Sequence, residues 1–266
     1  MKTFPLIFFI LSLFLFSCEK EKPLVEKDYG KLQLRFSHKV DADSLQRYSI
    51  IYQNAAANAY EVDELKYFIS DARIYINGGN SILISDNNSI HYVDLDVQNS
   101  LEWDITDLIP VGNYDSISFI FGLSEIRNQS NFFLNPPEVN MFWPEVLGGG
   151  YHYMMFNGKW RKPDTSIEAF NLHLGKGQIY SGTTTNPDSI IGFVHNYFRV
   201  SMPNSAFSIS KNATTQINLM MNINNWFNQP QVYDLNYWGP SVMQNQAAMN
   251  AIKENGQNVF SISSIH

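Results

Sequence analysis

The chain of 266 residues contains a single cysteine, Cys18. An internal disulfide is therefore excluded, and so is a metal cage built from several thiolates. Charge is also scarce and unbalanced: Asp, Glu, Lys and Arg make up 16% of the residues, and 18 basic against 25 acidic side chains leave a formal charge of −7. No basic stripe interrupts this surface, which would repel a phosphate backbone, so nucleic acid is excluded as a partner. Several enzyme signatures are missing. There is no Gly-x-Ser-x-Gly elbow, no His-Glu-x-x-His, no phosphate-binding glycine loop and no dinucleotide fingerprint. The chain is accordingly expected not to be an enzyme. Helical periodicity is rare, and no repeat or low-complexity tract occurs.

The apolar run Phe4–Phe16, preceded by Lys2, ends in Leu15-Phe-Ser-Cys18. It falls short of the roughly 20 residues needed to span a bilayer, and a small residue before cysteine is the pattern bacteria use for lipidation and cleavage. Residues 1–18 are thus expected to be a lipoprotein signal peptide with Cys18 as the lipidated residue. Removing Lys2 with the leader leaves 17 basic and 25 acidic residues, a net charge of −8. Residues 19–29 are charged and poor in apolar surface, which makes them a flexible tether. Residues 30–266 have no Pro/Gly/Ser linker and carry most of the 19 Phe, 14 Tyr and 5 Trp, so they are read as one folded unit.

Period-two alternation dominates that unit. Leu32, Leu34, Phe36 and His38 share one face of a strand, and Ile117, Phe119 and Phe121 share another. Further strands are expected over Val62–Ile76, Ile82–Ile84, His91–Leu95, from Tyr151 onward, Phe170–Leu174, Ile191–Val200, Thr214–Ile223 and Val259–Ile262. His91, beside the Asn87-Asn-Ser89 turn, is expected to be solvated, and His195, set among aromatics, to be structural. One C-terminal helix is predicted, capped by Ser241, facing inward through Val242, Met249 and Ile252, and ended by Gly256. Many short strands with regular turns imply an all-β fold: an antiparallel β-sandwich with long loops.

The stretch from Met141 to Gly175 stands out. Met141-Phe-Trp-Pro-Glu145 and Gly148-Gly-Gly-Tyr-His-Tyr-Met154 are followed by Phe170-Asn-Leu-His-Leu-Gly175. Three glycines permit positive φ or close backbone approach just before His152. Strands adjacent in sequence usually neighbour in space, so His152 and His173 can converge on one point. Phe170, Leu172 and Leu174 form the apolar face of their strand, which leaves His173 on the opposite one.

These motifs, together with Leu34-Arg-Phe-Ser-His38, Leu65–Asp71, Gly112–Gly122, Asn225–Pro230 and Glu254–Ile262, resemble the MbnP-like family. That is a group of bacterial exported proteins associated with copper binding, and the resemblance covers nearly all of the chain after the leader. It implies a β-sandwich that binds copper, with His38, His152 and His173 as the metal residues. It also implies the bacterial cell envelope as location: an outer-membrane lipoprotein facing the periplasm or the cell surface, held to the membrane by its lipid anchor. A membrane transporter or another envelope protein would be the partner that gives or takes the metal. Some members use a modified tryptophan, which directs attention to Trp143, a residue that packing would equally explain.

Imidazole and thioether donors suit copper, and Met154 or Met155 lies near His152 in sequence. Methionine is also a common core filler. Two other readings stay open. In one, the aromatics from Phe142 to Tyr153 form an exposed platform that recognises a protein or glycan without metal. In the other, Glu145 and Asp164 act as a carboxylate pair in hydrolysis, which requires a cleft and a raised pKa.

Overall fold

The computed structural model describes residues 27–76, 79–183 and 185–266, so Cys18, the leader and the tether as far as residue 26 lie outside the described residues. Within them run β1 (Tyr29–Val40), β2 (Asp43–Ser44), β3 (Tyr52–Gln53), β4 (Ala59–Ile76), β5 (Asn80–Leu83), β6 (Ile90–Asp94), β7 (Glu102–Pro110) and β8 (Gly112–Phe121). They are followed by β9 (Met154–Arg161), β10 (Ile167–Leu174), β11 (Lys176–Tyr180), β12 (Ile190–His195), β13 (Phe198–Met202), β14 (Phe207–Ile209), β15 (Thr214–Asn222) and β16 (Phe260–Ile265). Tyr29, assigned by sequence to the tether, is already the first residue of β1.

Two main sheets pack face to face. The smaller runs β16-β15-β1-β2, with β7 also paired to β1. The larger runs β10-β9-β4-β8-β13, with β3, β5 and β6 on β4 and β14 on β8. A separate hairpin joins β11 to β12. All pairings are antiparallel except β1 with β15, which run parallel from Lys31↔Thr214 to Lys39↔Asn222. Alternation builds the interface between the sheets: Leu32, Leu34 and Phe36 of β1 are buried, as are Phe119 and Phe121 of β8. Phe36 meets Tyr67 edge to face at 6.4 Å, and Phe260 of the smaller sheet meets Phe119 at 5.2 Å. Each such ring contributes about 1.5–3 kcal/mol by leaving water.

The 18-residue strand β4 is the spine of the larger sheet. Its polar interruption at Ser70-Asp71 is a bulge. Register slips between Ser70 and Arg73, Asp71 takes φ 49°, and its carboxylate accepts hydrogen bonds from Ser124 Oγ at 2.7 Å and Arg127 Nε at 3.2 Å. A second slip lies between Val62 and Glu64 and re-aims Glu64 across the pair with β9.

Three expectations about elements change. The segment Ile191–Val200 is two strands, because Asn196 breaks it. The Asn196 amide turns inward, fully buried, to donate to Gly175 O at 2.9 Å. The C-terminal helix spans Gln246–Asn255 and is capped by Asn245, whose Oδ1 accepts from Ala248 N; Ser241 lies in a bridge to Asn171 instead. Val242, Met249 and Ile252 are buried, as the apolar face required. The strand expected from Tyr151 begins only at Met154, which leaves His152 on a loop.

Candidate metal centre

The loop that carries His152 folds back on itself. Trp143 N donates to Gly150 O at 2.8 Å, His152 N donates to Met141 O at 2.6 Å, and Phe142 bridges Tyr151. The turn between these arms passes through Gly148, Gly149 and Gly150 at φ 109°, 61° and 84°, a left-handed run that side chains oppose. The loop is tied down by Ser130 Oγ, which accepts from Gly150 N at 2.8 Å, and by Asn128 Oδ1, which accepts from Tyr151 N at 2.7 Å.

This ribbon buries His152 to 6% exposure. Its Nδ1 lies 2.9 Å from Met141 O. A carbonyl only accepts, so Nδ1 carries the proton and Nε2 keeps a lone pair. That Nε2 is buried and has no hydrogen-bond partner among the described residues. Burial pushes the His152 pKa below its ordinary value, against the carbonyls of Met141 and Phe142, which raise it.

Beside it stands His173, on β10. The two rings are perpendicular, with centroids 5.0 Å apart. β9 and β10 pair Leu174 with Met154 and His173 with Met155, so Met154 and Leu174 fill the core while His173 and Met155 share the outer face of the sheet. His173 Nε2 lies 2.7 Å from Asn157 Oδ1. Burial, with the neighbouring His152, lowers the His173 pKa to about 3. Both rings are therefore neutral at physiological pH, the form that ligates metal.

Trp143 closes the site. It is fully buried, its ring is 4.7 Å from His152 at 70°, and its Nε1 donates to Leu147 O at 3.2 Å. Gly175 presses against the indole, and a Cβ there would stand 2.5 Å from Trp143 Cε3.

The third expected residue, His38, is not brought to this pair. Its Nε2 sits 3.0 Å from Tyr67 OH and its ring lies edge to face on Tyr67, between the sheets, where burial lowers its pKa to about 4. Among the described residues no three His, Cys, Asp or Glu side chains form a metal cluster. His91 is not freely solvated but only partly exposed. It is stacked between Phe36 at 5.3 Å and Trp103 at 5.0 Å, its Nε2 donates to Ser100 O, and its pKa falls to about 4 through burial. His195 faces Glu125 at 3.6 Å, and its ring lies 5.9 Å from that of Tyr197.

The two rival sites fare differently from the histidine pair. Of the aromatics between Phe142 and Tyr153, Trp143, Tyr151 and Tyr153 are buried and only Phe142 is exposed, at 40%, so no aromatic platform forms there. Asp164 sits in the β9–β10 turn, where hydrogen bonds from Ser166 hold its carboxyl below the usual range, the reverse of what a general acid needs.

Two residues at the site escaped sequence reading, Asn157 and Glu64. Asn157 was accessible by counting: strict alternation from Met155 puts it on the face of His173. Glu64 was not, because a bulge decides where it points.

In overall fold the chain is similar to MbnP from Methylosinus trichosporium, with 15% identity, 76% of this chain and 79% of that one covered, and a TM-score of 0.49. No curated protein matches the chain. The MbnP family model matches residues 29–244, which takes in the loop of Trp143 and His152, the strand of His173 and the two main sheets up to the C-terminal helix, and the chain belongs to the MbnP family.

Proposed function

We propose that the protein binds copper through His152 and His173, in acquisition, storage or delivery of the metal rather than in catalysis. The observation that carries this is the buried Nε2 of His152, without a hydrogen-bond partner among the described residues, next to a second neutral imidazole. A buried nitrogen without a partner costs free energy in the apo protein, and a metal ion is the ligand that imidazole lone pairs serve best. Each ring is also held from behind through its other nitrogen, His152 by a carbonyl and His173 by an amide, the usual support of a metal-ligating histidine.

The donor set argues for the metal. Two imidazoles fall short of the four ligands of a structural zinc site. Reduced copper accepts few and soft donors, and Met155, directly opposite His173, offers a thioether on the same face. Family membership supports a copper-associated exported protein, which agrees with this reading. His38 has a hydrogen-bonded structural role in it.

Lipidation at Cys18 and residence in the outer membrane, with a transporter or another envelope protein as partner, complete the proposal. They rest on the leader pattern and the family. Incorporation of labelled fatty acid in the native chain, and its loss in Cys18→Ala, tests the anchor.

The binding claim is tested by anaerobic titration of the full-length chain in detergent with reduced copper against a chromophoric competitor. One equivalent is expected to bind to wild type, and His152→Ala and His173→Ala are each expected to lose it while His38→Ala retains it. Stoichiometric binding in the double variant His152→Ala/His173→Ala would remove the pair from the account.

A further inference from the structure

His173 does not end at Asn157. The Asn157 amide in turn donates through Nδ2 to Glu64 Oε2 at 2.5 Å, and the other oxygen of Glu64 takes Lys66 Nζ at 2.5 Å. Lys66 also faces the buried Asp94 at 3.9 Å. The row crosses three adjacent strands on one face of the larger sheet, from β10 through β9 to β4.

A carboxylate can only accept, so it admits one orientation of the amide beside it: Nδ2 toward Glu64 and Oδ1 toward His173. The reverse orientation would set two acceptors against each other. With Oδ1 facing His173, Nε2 must carry the proton, and Nδ1 is left as the lone-pair nitrogen. Among the described residues the His173 ring makes its side-chain hydrogen bond through Nε2, to Asn157.

The backbone is arranged for this. Between Val62 and Glu64 the β4 register slips by one residue against β9, so that Val62 opposes Gly158 and Glu64 opposes Asn157. Asp63 is the extra residue. Without the bulge Asp63 would oppose Asn157, with a side chain one methylene shorter. Bulges of this kind commonly re-aim a side chain next to a site.

We infer that Glu64, acting through Asn157, is a positioning residue that fixes the neutral His173 tautomer with the proton on Nε2, and so selects Nδ1 as the nitrogen offered to a ligand beside His152. The inference deepens the copper reading and rests on it for its purpose, though the tautomer itself is a property of the metal-free protein. Its test therefore separates the two.

The full-length chain, with 15N only in its six histidines, is assigned by nitrogen–proton correlation spectra without metal. Wild type is expected to show His173 protonated on Nε2. Glu64→Lys replaces an acceptor by a donor, turns the Asn157 amide over, and is expected to shift the His173 Nε2–H to Nδ1–H ratio at least about tenfold toward Nδ1–H, the scale of one net hydrogen bond. Glu64→Met, of similar length and without hydrogen-bonding groups, is expected to raise the Nδ1–H population in the same direction and carries the test if the lysine variant does not fold. The remaining histidine resonances report that the fold is intact. Reduced-copper affinity is expected to fall about 10–100-fold in step with the tautomer. A wild-type His173 protonated on Nδ1, or an unchanged tautomer in folded variants, would overturn the assignment of Glu64. A tautomer that follows residue 64 in a chain that takes up no copper would uphold the positioning role and remove the copper reading.

Discussion

Gly175 has no space for a side chain, because Trp143 fills it. A Gly175→Ala methyl would stand 2.5 Å from the indole, and the glycine neighbours no ligand but His173 two residues away. The indole, itself 4.7 Å from His152, must move to make room. Gly175→Ala is therefore expected to weaken reduced-copper binding by about tenfold or more with both histidines still present, since the displaced indole pushes on His152 and shifts of a fraction of an ångström carry such penalties. Competition titration measures it, and affinity equal to wild type would show that Trp143 is no wall of the site. At this scale the pair His152 and His173 was legible from the sequence because two histidine motifs flank a single hairpin. The protonation of their nitrogens was not, since it depends on Met141 O and on Asn157, partners that only the folded loop and sheet bring near. His91 was misread for the same reason: its neighbours in sequence are turn residues, whereas its neighbours in space are Phe36 and Trp103.

Among the elements, the β4–β9 pair decides whether the site can form. Gly158, in the middle of β9, lies under the β4 bulge, and a Cβ on it would stand 2.0 Å from Glu61 O and 2.6 Å from the Phe170 ring. The bulge and the glycine are parts of one arrangement. Gly158→Ala is expected to cost about 1–3 kcal/mol or more by overpacking, read as a lower urea midpoint. It is also expected to disturb His173 through Phe170 and Asn157, which border it in β10 and β9. An unchanged midpoint would mean that the strands separate there without strain. Strands with one buried face were read correctly, as β1, β10 and β15 show, because their alternation reports burial directly. Alternation is blind to partner and direction. It could not reveal that β1 and β15 run parallel, nor that Asn196, a polar residue pulled inward by Gly175 O, splits Ile191–Val200 into two strands.

For the whole molecule, several neutral histidines are locked between or against the sheets. His38 and His91 titrate near 4 and His173 near 3, all below the ordinary 6.5, and burial is the leading cause in each case. The unfolded chain takes up these protons below pH 6.5 and the folded chain does not. Stability is therefore complete above pH 6.5 and is lost as pH falls toward 4, each histidine contributing a slope of about 1.4 kcal/mol per pH unit inside its window. Urea unfolding of the metal-free chain at pH 7.5, 6.5, 5.5 and 4.5 measures this. A steady decline beginning at about 6.5 is expected, and a flat profile down to pH 5 would mean that these histidines are solvated in the folded state. The sandwich class was legible at this scale from composition and turn spacing. The placing of the His152–His173 pair at the outer face of the larger sheet, roofed by the Trp143 loop, was not, because it depends on where the triple glycine returns the chain.

The central claim is that one copper ion is held between His152 and His173. Crystals of the protein grown without metal, soaked anaerobically with reduced copper and measured on either side of the copper absorption edge, test it most directly. The expected map has one strong anomalous peak touching His152 Nε2 and His173 Nδ1, beneath Trp143. A peak at His38 or His195 with none at the pair, or no peak in a chain that titrates as loaded, would contradict the account.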